Sequence, residues 1–121
     1  VISIVDRFLE HSRLAVFGPN DDAKVFLSSA DWMPRNFYRR VEIMFPILSS
    51  SIRKVILNDI VPAYLNDNVK SRELRSDGSY RRIKRKTQVP PVRCQTELID
   101  LHGRNASQSR STMFWNSNGE L

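Results

Sequence analysis

From Leu27 to Pro46 the chain reads L-S-S-A-D-W-M-P-R-N-F-Y-R-R-V-E-I-M-F-P, and this segment constrains the fold more than any other. Apolar, strand-like runs bound it on both sides. Between them Ser28, Ser29, Asp31, Arg35, Asn36, Arg39, Arg40 and Glu42 fall within fifteen residues. A solvated loop has little use for neighbouring arginines, a tryptophan and a Ser-Ser-Ala-Asp turn together. Guanidinium forks match phosphate oxygens, and the hydroxyls and N–H groups of a tight turn add further donors. The fold is thus expected to set strands around a polar turn that serves as a phosphate site.

The rest of the chain alternates short elements, as an α/β domain requires. Ile2, Val5, Phe8 and Leu9 recur at helical spacing and predict a helix from Ile2 to Glu10. From His11 the period changes to two, giving a strand to Phe17. Gly18-Pro19-Asn20-Asp21-Asp22 is a turn cluster, and Lys24 to Ser28 is the returning strand. Residues 29–36 read as irregular. Arg39 to Phe45 alternates Val41, Ile43 and Phe45 with Arg40, Glu42 and Met44, which predicts a third strand ended by Pro46. Ser49 or Ser50 caps a helix to about Leu65, with Ile52, Val55, Ile56 and Ile60 on one face and a kink at Pro62. Ser76-Asp77-Gly78-Ser79 joins two extended pieces, Ser71 to Arg75 and Tyr80 to Ile83. After Pro90-Pro91, Val92 to Leu101 predicts a short final helix. Residues 102–121 are rich in Ser, Asn, Gly and Arg and are expected to form a disordered or foreign tail.

Length and composition narrow the function classes. A chain of 121 residues supports one modest core, and its single cysteine, Cys94, allows no internal disulfide. No apolar run approaches the roughly 18 residues that span a bilayer, and no signal-peptide pattern opens the chain. The opening V-I-S-I-V-D-R-F-L already reads as structured protein without an initiating Met, so the chain is expected to be a fragment of a larger, cytoplasmic protein whose N-terminal domains are missing. Peripheral attachment to a membrane is a second option for its location. CxxC, HExxH, Walker A and GxGxxG patterns do not occur in the sequence.

The net charge of +6 has one source. Lys70 to Lys86 contains eight basic residues against Glu73 and Asp77, so the remainder of the chain is balanced. Such a segment attracts polyanions, whether polyphosphate, nucleic acid or a lipid surface, or it is simply a solvated basic hairpin. Aromatic interleaving of the kind that serves single-stranded nucleic acid is limited to Tyr80.

Two constellations carry chemistry. His11 and Arg13, two apart on an expected strand, would face the same side. An imidazole that exchanges protons near neutral pH beside a guanidinium that offsets charge suits phosphoryl transfer. In the second group, Arg40 and Glu42 share a face of the expected third strand, so Glu42 could anchor Arg40 while Arg40 reaches phosphate, and Arg39 points away. A buried Arg–Glu pair tying strand to helix is the structural alternative. Arg35 and Asn36 follow Pro34 in an expected bend that could present a backbone N–H. Asp31 could orient the histidine or cap the turn through its own side chain. Trp32 and Met33 are expected in the core, and Cys94 is expected to be a structural thiol.

The pieces F-L-E-H-S-R (Phe8 to Arg13) and S-S-A-D-W-M-P-R-N (Ser28 to Asn36) together resemble the last domain of the polyphosphate kinase family, the type that makes long chains through a phosphohistidine. The resemblance runs from about Ser3 to Leu101 and implies a phospholipase-D-like α/β domain, with a mixed sheet flanked by helices. Members of that wider fold carry His-x-Lys and a downstream Gly-Ser-x-Asn turn, to which His11-Ser12-Arg13 and Ser28-Ser29-Ala30-Asp31 are similar. The resemblance implies reversible transfer of the terminal phosphate of ATP to polyphosphate, with magnesium as cofactor and a homo-oligomeric parent. His11 then matches the second histidine, a residue of the ATP site and an acid–base candidate. Arg13, Ser29 and Arg40 are the expected ATP- and phosphate-binding residues, supported by Asp31, Asn36 and Glu42. The phosphohistidine, the magnesium ligands and an adenine-stacking tyrosine are implied to lie outside this chain. The sequence departs from the family at the turn after Phe17, where Asn-Gly-Gly is usual, and at Tyr38, where Asp is common. Two other readings are a polyanion- or RNA-binding module built on residues 70–86, and half of a phospholipase-D-type phosphodiesterase.

Overall fold

The computed structural model describes residues 1–19 and 22–112, with side chains as far as Gly103. The chain divides into two compact units. One is formed by Val1–Phe8 together with the chain from Asp59 onward, the other by Leu9–Asn58. Each holds a three-stranded antiparallel sheet, where a mixed sheet was expected.

The unit formed by Leu9–Asn58 contains β2 (Leu14–Phe17), β3 (Lys24–Ser28) and β4 (Met44–Pro46), in the spatial order β2-β3-β4. Leu14 faces Leu27 across the first pair, and Leu27 faces Phe45 across the second. The core centres on Val25 and Ala23, with Ile56 also buried. Gly18 takes a positive φ of 96° after β2, which a side-chain-bearing residue rarely adopts. Asn20 and Asp21 of the expected turn lie outside the described residues.

Between β3 and β4 the structure differs from the alternating pattern. Residues Pro34–Arg39 form a short helix, α1, with Pro34 in its first turn, where a fixed φ and a missing N–H carry no cost. Arg40 then returns to extended backbone, and strand pairing begins only at Met44. The helix was hidden by the Val41–Phe45 alternation, which is real but lies mostly in unpaired extended chain.

After β4, α2 (Ser50–Val55), a π-helical turn (Ile56–Ile60) and α3 (Val61–Leu65) follow without interruption. Ser49 caps α2, its hydroxyl accepting from the Ile52 N–H. The expected irregularity at Pro62 takes the form of the π-turn just before it. Proline cannot donate to the i−4 carbonyl, and a wider turn is one way to accommodate that. Of the expected apolar face, Ile56 is buried while Ile52 and Val55 are exposed.

The other unit contains β1 (Ile2–Ile4), β5 (Ser71–Leu74) and β6 (Tyr80–Arg82), in the order β1-β5-β6. The helix expected from Ile2 to Glu10 is instead a strand paired with β5, Ile2 opposite Glu73 and Ile4 opposite Ser71. Ile2 and Ile4 also alternate, and β-branched side chains favour the strand once β5 supplies hydrogen-bond partners. The β5–β6 hairpin closes as the sequence predicts: Gly78 donates to Arg75 O and holds a φ of 82°, a turn followed by a left-handed glycine.

Asp67 organises this unit. Its Oδ1 accepts from the N–H groups of Val69, Lys70 and Ser71, and its Oδ2 from that of Cys94. One side chain, 3% exposed, thereby fixes the entry to β5 and the start of helix α4 (Cys94–Thr112). Asp6 is bound by both Nε and Nη2 of Arg93, at 2.7 and 2.6 Å. Gln95 exchanges two hydrogen bonds with the Phe8 backbone. Cys94 is fully buried and forms no disulfide, as expected of a structural thiol. Helix α4 passes the expected end at Leu101 and reaches Thr112, so the first part of the expected tail is helical, while residues 113–121, including Met113-Phe114-Trp115, lie outside the described residues. Among the described residues no helix is long and apolar enough to cross a membrane.

Candidate functional site

The topology of the β2-β3-β4 sheet explains why distant polar residues meet. With β3 central and both neighbours antiparallel to it, the lead-ins to β2 and β4 lie beside the exit of β3. His11–Arg13, Ser28–Asp31 and Arg40–Ile43 are those three segments. The ladder continues beyond the regular strands: Ser28 donates from its N–H to Arg13 O at 2.9 Å, and Ser29 to Ile43 O at 3.0 Å. Ile43 N–H then donates to Ser29 Oγ at 3.0 Å, so a hydroxyl takes the place of a ladder carbonyl.

Arg13 is the hub of the site. Its Nε donates to Asp31 Oδ1 at 2.7 Å, and its Nη2 lies 2.7 Å from His11 Nε2. A guanidinium offers only donors, so His11 Nε2 accepts in this pair and the ring proton sits on Nδ1. His11 and Arg13 thus do meet, although both precede β2 and neither lies on a regular strand. Asp31 holds Arg13 directly, and the histidine through Arg13. The hydrogen bond from Arg13 holds the Asp31 carboxyl below its ordinary pKa, with smaller contributions from the charges of Arg13 and Arg35. Arg35 approaches Asp31 at 3.8 Å, one turn along the chain.

Glu42 forms a second group. It accepts a short hydrogen bond from the Ser29 hydroxyl and another, 2.6 Å long, from Asn36 Nδ2. These two donors, Ser29 first, lower its pKa. The expected ion pair with Arg40 is not made. Arg40 adds a weaker favourable charge to Glu42, is exposed, and has no ion-pair partner among the described residues. Helix α1 causes this rearrangement, because it brings Asn36 inward to Glu42 and leaves Arg40 at the helix end. Asn36 is 3% exposed and its Oδ1 has no hydrogen-bond partner among the described residues.

The two groups border an open cleft of about 690 Å³, whose walls include Arg13, Asp31, Asn36, Arg40 and Glu42. His11 and Ser29 are not part of the wall and reach the cleft through Arg13 and Glu42. Trp32, expected in the core, is 93% exposed at the cleft and packs edge-to-face on Phe37 at 6.3 Å. Ser28, the first residue of the expected polar turn, accepts from Ala30 N–H at 3.0 Å and donates to Ile43 O at 3.2 Å through its hydroxyl, shaping the turn. The Ser-Ser pair was its signal in the sequence.

The model of the polyphosphate kinase C-terminal domain 2 family matches residues 1–95. The chain belongs to that family. A polyphosphate kinase of Halalkalibacterium halodurans is 49% identical over 104 residues, covering 86% of this chain and 15% of the relative. One from Xylella fastidiosa is 47% identical over 100 residues, covering 83% of this chain and 14% of the relative. The crystal structure of polyphosphate kinase from Porphyromonas gingivalis superposes with a TM-score of 0.75 at 36% identity, over 88% of this chain and 16% of that one. The chain therefore spans about one-seventh of the length of the polyphosphate kinases it resembles, and the fold is that of a C-terminal polyphosphate kinase domain.

Proposed function

We propose that this chain is one wall of the active site of an ATP:polyphosphate phosphotransferase, a parent protein that moves the terminal phosphate of ATP reversibly onto polyphosphate through a phosphohistidine outside this chain. The observation that carries the reading is the convergence of His11, Arg13, Asp31, Arg40 and Glu42 at one end of a sheet, in a member of this family. Arg40, exposed and unpaired, binds phosphate oxygens of nucleotide or polyphosphate. Asp31 fixes the guanidinium of Arg13, so its remaining donors face the cleft in one orientation. His11 Nε2 is held by Arg13 until a phosphate oxygen competes for that guanidinium. The freed nitrogen can then take a proton as the phosphoryl group moves, and return it in the reverse direction, the scale of such assistance being about 10²–10⁴-fold. Glu42 and Asn36 keep Ser29 and the turn in place.

Magnesium supplies charge neutralisation in most ATP-dependent phosphoryl transfer. The carboxylates of this cleft are committed to Arg13 and to Ser29 and Asn36, and no cluster of three or more His, Cys, Asp or Glu occurs among the described residues. This cleft does not fit a magnesium site. The remaining domains of the parent chain supply the nucleophile and cover apolar side chains that are open here, such as Val41 at 99% exposure. A cytoplasmic setting, with ATP at hand, suits this chemistry.

The test is ADP formation from ATP, magnesium and polyphosphate by the parent protein and by this chain alone. The parent should turn over and the isolated chain should not, because a phosphorylated nucleophile must be held in line with its acceptor. An inactive parent, or sustained turnover by the isolated chain, would contradict the proposal.

A further inference from the structure

The unit containing the β5–β6 hairpin carries a cationic surface that the cleft does not use. Of the eight basic residues between positions 70 and 86, Arg72 stands directly opposite Arg82 in the antiparallel register. Like charges in that position are unfavourable unless something neutralises them. The two acids of the segment are already committed. Glu73 is opposite Arg81 and pairs with it at 3.7 Å. Asp77 accepts from both the N–H and the hydroxyl of Ser79 to build the turn. Arg82 donates to Val69 O, a contact that orients the guanidinium without cancelling its charge. Arg72, Arg75, Lys84 and Lys86 are exposed and form no ion pair among the described residues. Cross-strand pairing puts Arg72 and Arg82 on one face of the hairpin with Leu74 and Tyr80.

We infer that this hairpin is an anchoring surface for the polyphosphate chain itself, separate from the cleft and engaged by phosphoryl units away from the reacting end. The inference rests on the reading of the parent as a polyphosphate kinase. A linear polyanion without bases needs exposed cations that form no ion pair and little else, and the hairpin and the residues that follow it supply them. Single-stranded nucleic acid is served by aromatic platforms between the cations, and Tyr80 is the only aromatic residue of the segment. The consequence is selective: a long chain lays many phosphoryl units against these cations and gains affinity, whereas ATP and very short chains do not.

The experiment uses the full-length parent with Arg72→Gln, Arg75→Gln, Lys84→Gln and Lys86→Gln combined, and a charge-preserving control with Arg72→Lys, Arg75→Lys, Lys84→Arg and Lys86→Arg. Binding of fluorescently labelled long-chain polyphosphate is followed directly by anisotropy across a salt series, alongside KM values for ATP, tripolyphosphate and long-chain polyphosphate. The neutralised variant should bind long chains roughly tenfold or more weakly. Its log–log salt slope should be shallower by about 3, as expected for the loss of four phosphate contacts. KM for ATP and tripolyphosphate should stay at wild-type values, and the charge-preserving control should behave as wild type. Unchanged long-chain affinity and salt slope in the neutralised variant would overturn the inference. So would equal affinity of the wild type for single-stranded RNA of matched length, which would make the hairpin a nucleic-acid surface. Because anisotropy needs no turnover, a parent that binds polyphosphate through the hairpin but makes no ADP would refute the proposed activity and leave this inference standing.

Discussion

Each unit contains an aspartate that grips an arginine at 2.7 Å, and the two pairs end differently. Asp6 takes both ends of the Arg93 guanidinium, its side chain is 2% exposed, and the pair ties β1 to the start of α4. Asp31 takes only Nε of Arg13, its side chain is 34% exposed, and Arg13 continues to His11. The first arrangement closes on itself and is structural. The second leaves Arg13 at an open cleft, where the proposed function uses it to present charge. Asp67 extends the contrast, since its carboxylate accepts from four backbone N–H groups. An Asp–Arg contact thus identifies a functional group only when the arginine has something further to hold.

The comparison can be broken most forcefully at Asp67. Asp67→Ala would leave buried N–H groups without an acceptor and should destabilise the protein by about 3 kcal/mol or more, while kcat of the folded fraction is unchanged. Denaturant unfolding of the parent, with kcat normalised to native protein, checks both halves. A catalytic loss without destabilisation would place Asp67 on the wrong side of the divide.

Arg40→Ala should have the opposite profile: no change in melting, and KM for nucleotide or polyphosphate raised roughly tenfold, the value of a charge-assisted contact. The loss should grow with salt, as screening weakens the contacts that remain. Kinetics at two ionic strengths would test the proposed role of Arg40 as a phosphate-binding cation.

Acid should affect both units in the same direction. Asp6, Asp31 and Glu42 all have depressed pKa values in the fold, set chiefly by Arg93, Arg13 and Ser29. Unfolded Asp and Glu titrate near about 3.9 and 4.3. Their stabilising contribution is therefore complete above those values and is lost as pH falls through the lower, folded ones. Stability measured from pH 7 downward should hold its contribution from these groups until about pH 4 and then drop. Asp31→Asn should reduce the slope of that drop, and an unchanged slope would mean that Arg13 does not hold Asp31 ionised.

The smallest effect is expected at Asn36. Asn36→Ala removes the donor to Glu42 and also removes an unsatisfied buried acceptor, two changes of opposite sign. Net destabilisation within about 1 kcal/mol is expected in a denaturant melt. A much larger value would mean that Oδ1 has a partner in the complete protein.

Much of this was legible in the sequence because it depends on strand order and turn chemistry. The returning strand Lys24–Ser28, the Ser49 cap and the Asp77-Gly78 turn all carry local signals, and a central β3 brings His11, Ser29 and Glu42 to one end. The errors arise where a second pattern overlaid the first. Ile2–Ile4 satisfies both helical spacing and alternation, and only pairing with β5 decides between them. Pro34 opens a helix that the following alternation concealed, and that helix in turn gives Glu42 to Asn36 instead of Arg40. Asp31 could not be assigned because its partner lies eighteen residues away. Trp32 was misplaced because hydrophobicity does not say which way a side chain at a cleft mouth faces.

The central claim is that the end of the β2-β3-β4 sheet is a phosphoryl-transfer site in which His11 handles a proton, and it is tested most directly by His11→Ala in the parent protein. Steady-state kcat for ADP formation should fall about 10²–10⁴-fold, with the unfolding midpoint unchanged, because His11 is exposed. His11→Gln should restore substrate binding more than rate. Near-normal kcat in His11→Ala would contradict the account and leave the histidine a bystander to Arg13.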